Sequence, residues 1–121
     1  MVSAPAAAPA ADARLARARA IAGSVPDPEL PMLTLDDLGI LREVTVAGSR
    51  IIVSITPTYS GCPALREIGA DVTRRLAAGG FPDVEVRAAL APAWSTDWIT
   101  PAGRRKLAAA GIAPPGPARR V

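Results

Sequence analysis

Histidine is absent from the 121 residues of this chain, and cysteine occurs once, at Cys62. The first absence excludes a Cys-His nucleophile pair, so thiol-protease and ordinary acyl-transfer chemistry lack their base. The second excludes an internal disulfide and agrees with a reducing compartment. Together they leave mostly carboxylates to complete four ligands, which makes a structural zinc site hard to build. Aromatic residues are scarce too: Tyr59, Phe81, Trp94 and Trp98 are the only four, so Leu, Ile and Val must fill the core. No apolar run approaches the roughly 18 to 20 residues that span a bilayer, and the N-terminus has neither a basic start nor an unbroken hydrophobic stretch. A cytoplasmic protein with no membrane segment is the expectation.

What is present is a chain of single-domain length, half of it hydrophobic, with a formal charge of +3 and an isoelectric point near 10.0. Such a balance raises nucleic acid as a partner. The arginines are dispersed, however, as Arg14, Arg17 and Arg19, then Arg74 and Arg75, then Arg104 and Arg105. No basic run is interleaved with aromatics, so a solvated basic surface is expected and nucleic-acid binding is not.

The Ala/Pro-rich opening, residues 1–11, has no helical or strand period and reads as a disordered tail. Asp12 is a plausible N-cap, and Leu15, Ala18, Ile21 and Ala22 then recur at helical spacing up to Gly23. Pro26, Pro28 and Pro31 exclude a regular helix or central strand in the next stretch, and Thr34 to Leu38 offers one helical turn before Gly39. LREVTVA and RIIVSIT alternate on either side of Gly48-Ser49, which predicts a hairpin with Val44 and Val46 on one face of its first strand and Ile51, Val53 and Ile55 on one face of its second. Leu65, Ile68, Gly69, Val72 and Leu76 form a helical stripe ended by Gly79 and Gly80. A third strand, VEVRAAL, sets Val84, Val86, Ala88 and Leu90 against Glu85 and Arg87. Thr100-Pro101 then opens a short helix containing Leu107, which ends at Gly111. The expected fold is α+β, a two-layer sandwich in the order α-β-β-α-β-α with a small mixed three-stranded sheet. One domain covers 12–111, and 112–121 form an irregular C-terminal tail. The crossover through the long helix makes the second and third strands parallel.

Three groups of residues carry candidate chemistry. Cys62 lies between Gly61 and Pro63, where the N-cap or first turn of a helix should fall. Free N–H groups and the positive end of the helix dipole there stabilise a thiolate. The alternative is a small buried hydrophobe, the common fate of free cysteine. Asp27 and Glu29 flank Pro28 in DPELP; held extended, they could ligate a metal or simply cap a turn. Trp94 and Trp98 bracket a polar loop with Asp97, either capping the core or docking a partner.

The segments DPELP, TPTYSGCPA and PAWSTDWITPAGRRKLAAAGIAPP, spanning about Ile21 to Pro115, resemble the phenylacetate-degradation D proteins. These are small accessory components of the bacterial phenylacetyl-CoA ring-epoxidising system, within a wider family of iron-sulfur cluster assembly domains. DPE and the threonine-to-Cys-Pro segment resemble the wider family, and the tryptophan loop with GRRKL and GIAPP resembles the phenylacetate branch. The resemblance implies the same helix and strand order. It also implies a non-enzymatic maturation role in aromatic catabolism, with Cys62 as the metal or cluster contact. Asp27, Glu29, Thr56 and Thr58 would be supporting residues, and oxygenase or reductase components would be the clients. Members of that branch commonly continue into a cysteine-rich tail, whereas this chain ends PPGPARRV. The expectation is therefore a transient iron or iron-sulfur contact, shared with a client or with a second copy in a homodimer, and no stable cofactor in the isolated chain. A scaffold that docks oxygenase components through Trp94, Asp97 and Trp98 is the alternative.

Overall fold

The computed structural model describes residues 7–58 and 64–112, with side chains from Asp12 onward. Among the described residues four helices and three strands follow one another as α1 (Ala7–Gly23), α2 (Leu35–Leu38), β1 (Leu41–Ala47), β2 (Arg50–Ile55), α3 (Ala64–Ala78), β3 (Val84–Ala88) and α4 (Pro101–Ala109). A 3-10 turn, Thr96–Trp98, precedes α4. The sheet order is β1-β2-β3, antiparallel across the hairpin and parallel across the α3 crossover, as the spacing predicts. The architecture is α+β, with helices on one face of a mixed three-stranded sheet.

The N-terminal boundary differs from expectation. Helix α1 begins at Ala7, so Asp12 is an exposed residue inside it and residues 7–11 are helical rather than a tail. Seven of the residues from Ala7 to Arg19 are alanine, the best helix former, and the period that would mark an amphipathic start is invisible among them.

Helices α1 and α3 pack against each other, α1 over β1 and α3 over β3. Ala18 and Ala22 from α1, Ile68, Val72 and Leu76 from α3, and Ile51, Val53 and Ile55 from β2 are buried in one cluster. Each fully buried Leu, Ile or Val contributes about 1.5–3 kcal/mol. Phe81 closes the end of the core after α3, with the Arg14 and Arg17 guanidinium groups 5.3 and 5.2 Å from its ring centroid.

The outer strands depart from strict alternation. A bulge at Arg42 shifts the register between Leu41 and Glu43, so the buried residues of β1 are Leu41 and Val44. Val46, placed by alternation on one face with the buried Val44, is 43% exposed, because cover that reaches Ile51 in the central strand stops short of this edge partner. In β3, Val84 and Val86 are half-buried, while Ala88 and, beyond the strand, Leu90 are exposed. The hairpin turn holds Gly48 at φ +64°, which glycine adopts without steric cost.

Candidate functional site

The DPELP segment forms a closed turn. Leu35 N–H donates to Val25 O over 2.9 Å and Asp27 N–H donates to Leu33 O over 2.8 Å, so the two ends of 25–35 meet. Inside the turn, the Asp27 carboxylate accepts at Oδ2 from Glu29 N–H (3.0 Å) and Leu30 N–H (2.8 Å). Pro28 makes this geometry natural, because its φ is fixed and it has no N–H of its own to satisfy. Asp27 is thus buried and partly committed to the backbone, whereas Glu29 beside it is exposed.

A cleft of about 280 Å³ opens at this turn. Its polar residues are Asp27, Glu29, Thr58 and Thr96, and its apolar walls are Leu30, Leu38, Trp94, Ile99, Leu107 and Ile112. The structure therefore brings both acids of the DPE motif, one of the two candidate threonines and one of the two tryptophans to a single opening. Cys62 lies outside the described residues, as do Tyr59, Ser60, Gly61 and Pro63. In sequence the thiol follows Thr58, at the cleft, and precedes the start of α3 at Ala64.

Thr56 is placed differently. It is fully buried, its Oγ1 donates to Ala89 O over 2.6 Å, and its own N–H donates to Ile40 O over 2.9 Å. Its visible work is to clamp the exit of β2 between the chain before β1 and the chain after β3.

The tryptophan loop is anchored inward. Trp94 Nε1 donates to Leu38 O over 2.7 Å, joining the loop to α2. Trp98 stacks under the Arg42 guanidinium, 4.0 Å from its ring centroid, so the bulge residue of β1 holds the loop by a cation–π contact. Its backbone also lies against Gly39, where φ is +72° and an added Cβ would fall 2.6 Å from Trp98 O. Asp97 is exposed on this loop, with its N–H donating to Ser95 Oγ at 3.1 Å.

A second polar centre was not anticipated. Asp37 is buried in α2, where its Oδ2 accepts from Thr34 N–H (2.9 Å) and from Lys106 Nζ on α4 (2.6 Å). Its N–H donates in turn to Thr34 Oγ1, completing a capping box, and its carbonyl accepts from Thr100 N–H at 2.9 Å. Burial pushes the Asp37 carboxyl up, but the Lys106 hydrogen bond, the Thr34 hydrogen bonds and the lysine charge outweigh it and hold the group below its ordinary value. The Thr34-x-x-Asp37 spacing was the available signal. Nothing in the sequence points from Asp37 to Lys106.

As a metal centre the described residues are incomplete. Among them no three His, Cys, Asp or Glu side chains come together in a metal-holding group. The cleft offers two hard carboxylates, with Asp27 already accepting two N–H bonds, and the chain's one cysteine, Cys62, lies outside the described residues.

Residues 15–90 match the family model described as iron-sulfur cluster assembly protein. The chain belongs to this family. A relative from Escherichia coli strain K12, provisionally named as the D component of a 1,2-phenylacetyl-CoA epoxidase, is 45% identical over 96 residues, which is 79% of this chain. The chain spans 58% of that relative's length. Among solved structures, a domain of unknown function, DUF59, from Bacillus anthracis is similar with a TM-score of 0.73. It shares 26% identity, and the match covers 80% of this chain and 93% of that one. A conserved hypothetical protein from Thermotoga maritima gives 0.56 at 26% identity, covering 71% and 86%. These neighbours share the α+β fold. The family model ends at Leu90, so the tryptophan loop and α4 with Lys106 lie outside it, within the stretch read as resembling the phenylacetate branch. No helix among the described residues is long and apolar enough to cross a membrane.

Proposed function

We propose that this iron-sulfur assembly domain is a non-enzymatic maturation factor for a phenylacetyl-CoA epoxidase system in the cytoplasm. Iron or an iron-sulfur cluster is cargo rather than a resident cofactor. Cys62 supplies the thiolate that contacts it, and Asp27, Glu29 and Thr58 flank the contact. The clients are the oxygenase or reductase components of that system. The observation that carries the reading is the convergence of Asp27, Glu29, Thr58 and Trp94 on one cleft, on the segment that leads to the only thiol. The donor chemistry agrees, since a thiolate suits iron and clusters better than carboxylates do.

The test is co-expression of the client components with wild-type chain or with Cys62→Ser, followed by iron and sulfide analysis of the purified client. The expected result is a client depleted in metal when the thiol is replaced. Full metal content with Cys62→Ser would sink the thiolate role.

The apolar walls of the cleft favour a second reading, a scaffold that docks an oxygenase component there. Ile112, 39% exposed at the rim, is the residue to change. On the scaffold reading Ile112→Asp abolishes co-purification while Cys62→Ser leaves it intact.

A further inference from the structure

Strand β3 ends one side of the sheet and has β2 as its only partner among the described residues. In a parallel ladder, alternate residues turn their backbone groups toward the neighbouring strand. Two bonds fix the phase here: Ile51 N–H donates to Asp83 O over 2.9 Å, and Ala89 N–H donates to Ile55 O over 2.7 Å. Asp83, Glu85, Arg87 and Ala89 therefore address β2. The N–H and C=O groups of Val84, Val86 and Ala88 point outward, and no described residue bonds to them. Natural edges are blunted by a proline, a bulge, a covering loop, shortness or charged side chains. Val84–Ala88 contains no proline and its register with β2 is unbroken. Its five residues carry two charges of opposite sign, Glu85 and Arg87, which repel a strand of wrong charge pattern but complement one another across an antiparallel pair.

We propose that this edge pairs with the same edge of a second copy of the chain, antiparallel about a two-fold axis through Val86, joining the two sheets into one. Charge selects both the occupant and the register. In Val84-Glu85-Val86-Arg87-Ala88, an axis through Val86 sets Glu85 opposite Arg87 of the second copy and Arg87 opposite its Glu85. Val84 then meets Ala88. Moving the axis to Glu85 or to Arg87 would place like charges face to face, which is destabilising for directly opposed residues. The outward phase of Val84, Val86 and Ala88 suits this axis, because opposed residues of those three exchange both of their backbone bonds.

The side chains agree with the backbone. Glu85 and Arg87 pair with each other on the open face of the sheet, with side chains 34% and 57% exposed, so both remain reachable by a second copy. Glu85 also accepts from Arg50 over 3.2 Å, which steadies it. On the other face a groove of about 550 Å³ runs between α3 and β3, bordered by Leu65, Gly69, Thr73, Val86 and Ala88. Gly69 keeps it open: an added Cβ there would meet nothing nearer than Val86 Cγ1 at 3.7 Å. The groove leaves room beside the edge for the Val84 and Val86 side chains of the incoming strand. Arg66 on its rim would instead suit an acidic strand from a different protein, and that occupant is one outcome of the test. The pairing is independent of the cargo chemistry of Cys62.

The experiment is sedimentation equilibrium on the full chain, comparing wild type, Glu85→Arg, Arg87→Glu and an equimolar mixture of the two variants. Circular dichroism checks that each variant keeps its fold. The wild type is expected to dimerise, and each variant alone to dimerise roughly tenfold or more weakly, since like charges then oppose at both positions. The mixture is expected to recover association close to wild type, because one variant is basic and the other acidic at both positions. A wild type that stays monomeric up to about 1 mM overturns the proposal, including the case in which a client strand takes the edge. A dimer that the single variants leave unchanged, or that the mixture does not restore, overturns it equally.

Discussion

Lys106 reaches from α4 to the buried carboxylate of Asp37 in α2, a 2.6 Å bond between residues 69 positions apart in the chain. Because the same oxygen also accepts from Thr34 N–H, one carboxylate both caps α2 and ties down the C-terminal helix. The Asp37 side chain is 9% exposed and the Lys106 side chain 44%, so the two ends of the bond are unequal. Removing the acid loses the cap and the tie together. Asp37→Ala is expected to cost about 2–3 kcal/mol in urea unfolding, and Lys106→Met about 1–2 kcal/mol, because water reaches the lysine end. Equal losses from the two variants would mean that the cap contributes nothing.

The same pair predicts a pH dependence with a definite sign. The folded Asp37 carboxyl is held below its ordinary value, so the folded state binds its proton less readily than the unfolded chain does. Its contribution is fully present above the unfolded pKa of about 3.9 and is lost as the pH falls through the lower folded value. The stability gap between wild type and Asp37→Asn should therefore be widest near neutral pH and should narrow below about pH 4. Urea midpoints across that range check it, and a gap that stays constant would contradict the assignment.

Gly103 makes room for the close approach of α4 to α2. It sits in the first turns of α4, buried, where a Cβ would fall 2.7 Å from Asp37 O and 3.0 Å from Ile99 Cγ2. In a free helix, glycine to alanine would stabilise by roughly 1 kcal/mol. Here the contact is with backbone, which cannot swing aside, so Gly103→Ala is expected to destabilise by about 1–3 kcal/mol. The sign of the change, read by thermal or urea unfolding, decides between packing and propensity.

Periodicity made the sheet and α3 legible, because their apolar residues recur at intervals of two or of three and four. It found the body of α1 but failed at its start, where alanine fills both faces, and at the outer strands, where a bulge at Arg42 and an uncovered edge at Val46, Ala88 and Leu90 break the rule that alternation means burial. The candidate site was legible by motif: DPE, the threonines before Cys62 and the tryptophan loop were all singled out, and Asp27, Glu29, Thr58 and Trp94 meet at the cleft. The backbone uses of Asp27 and Thr56 were not readable in detail. They depend on N–H and C=O groups, some from distant strands, that carry no residue identity. The bond between Asp37 and Lys106 was hidden for a related reason, since only the folded chain brings α2 beside α4.

Trp94 separates a structural from a docking role within one side chain. Its indole N–H is turned inward onto Leu38 O at 2.7 Å, while the residue also lines the cleft. Trp94→Phe keeps an aromatic ring at the cleft and deletes the donor, leaving the Leu38 carbonyl without that partner. The expected loss is about 1 kcal/mol of stability, with client co-purification retained once the samples are matched for folded protein. Trp94→Ala removes the ring as well, so a further loss of client binding in that variant alone would assign docking to the ring. If Trp94→Phe instead keeps full stability and loses the client, the indole N–H belongs to the partner in the complex and not to α2.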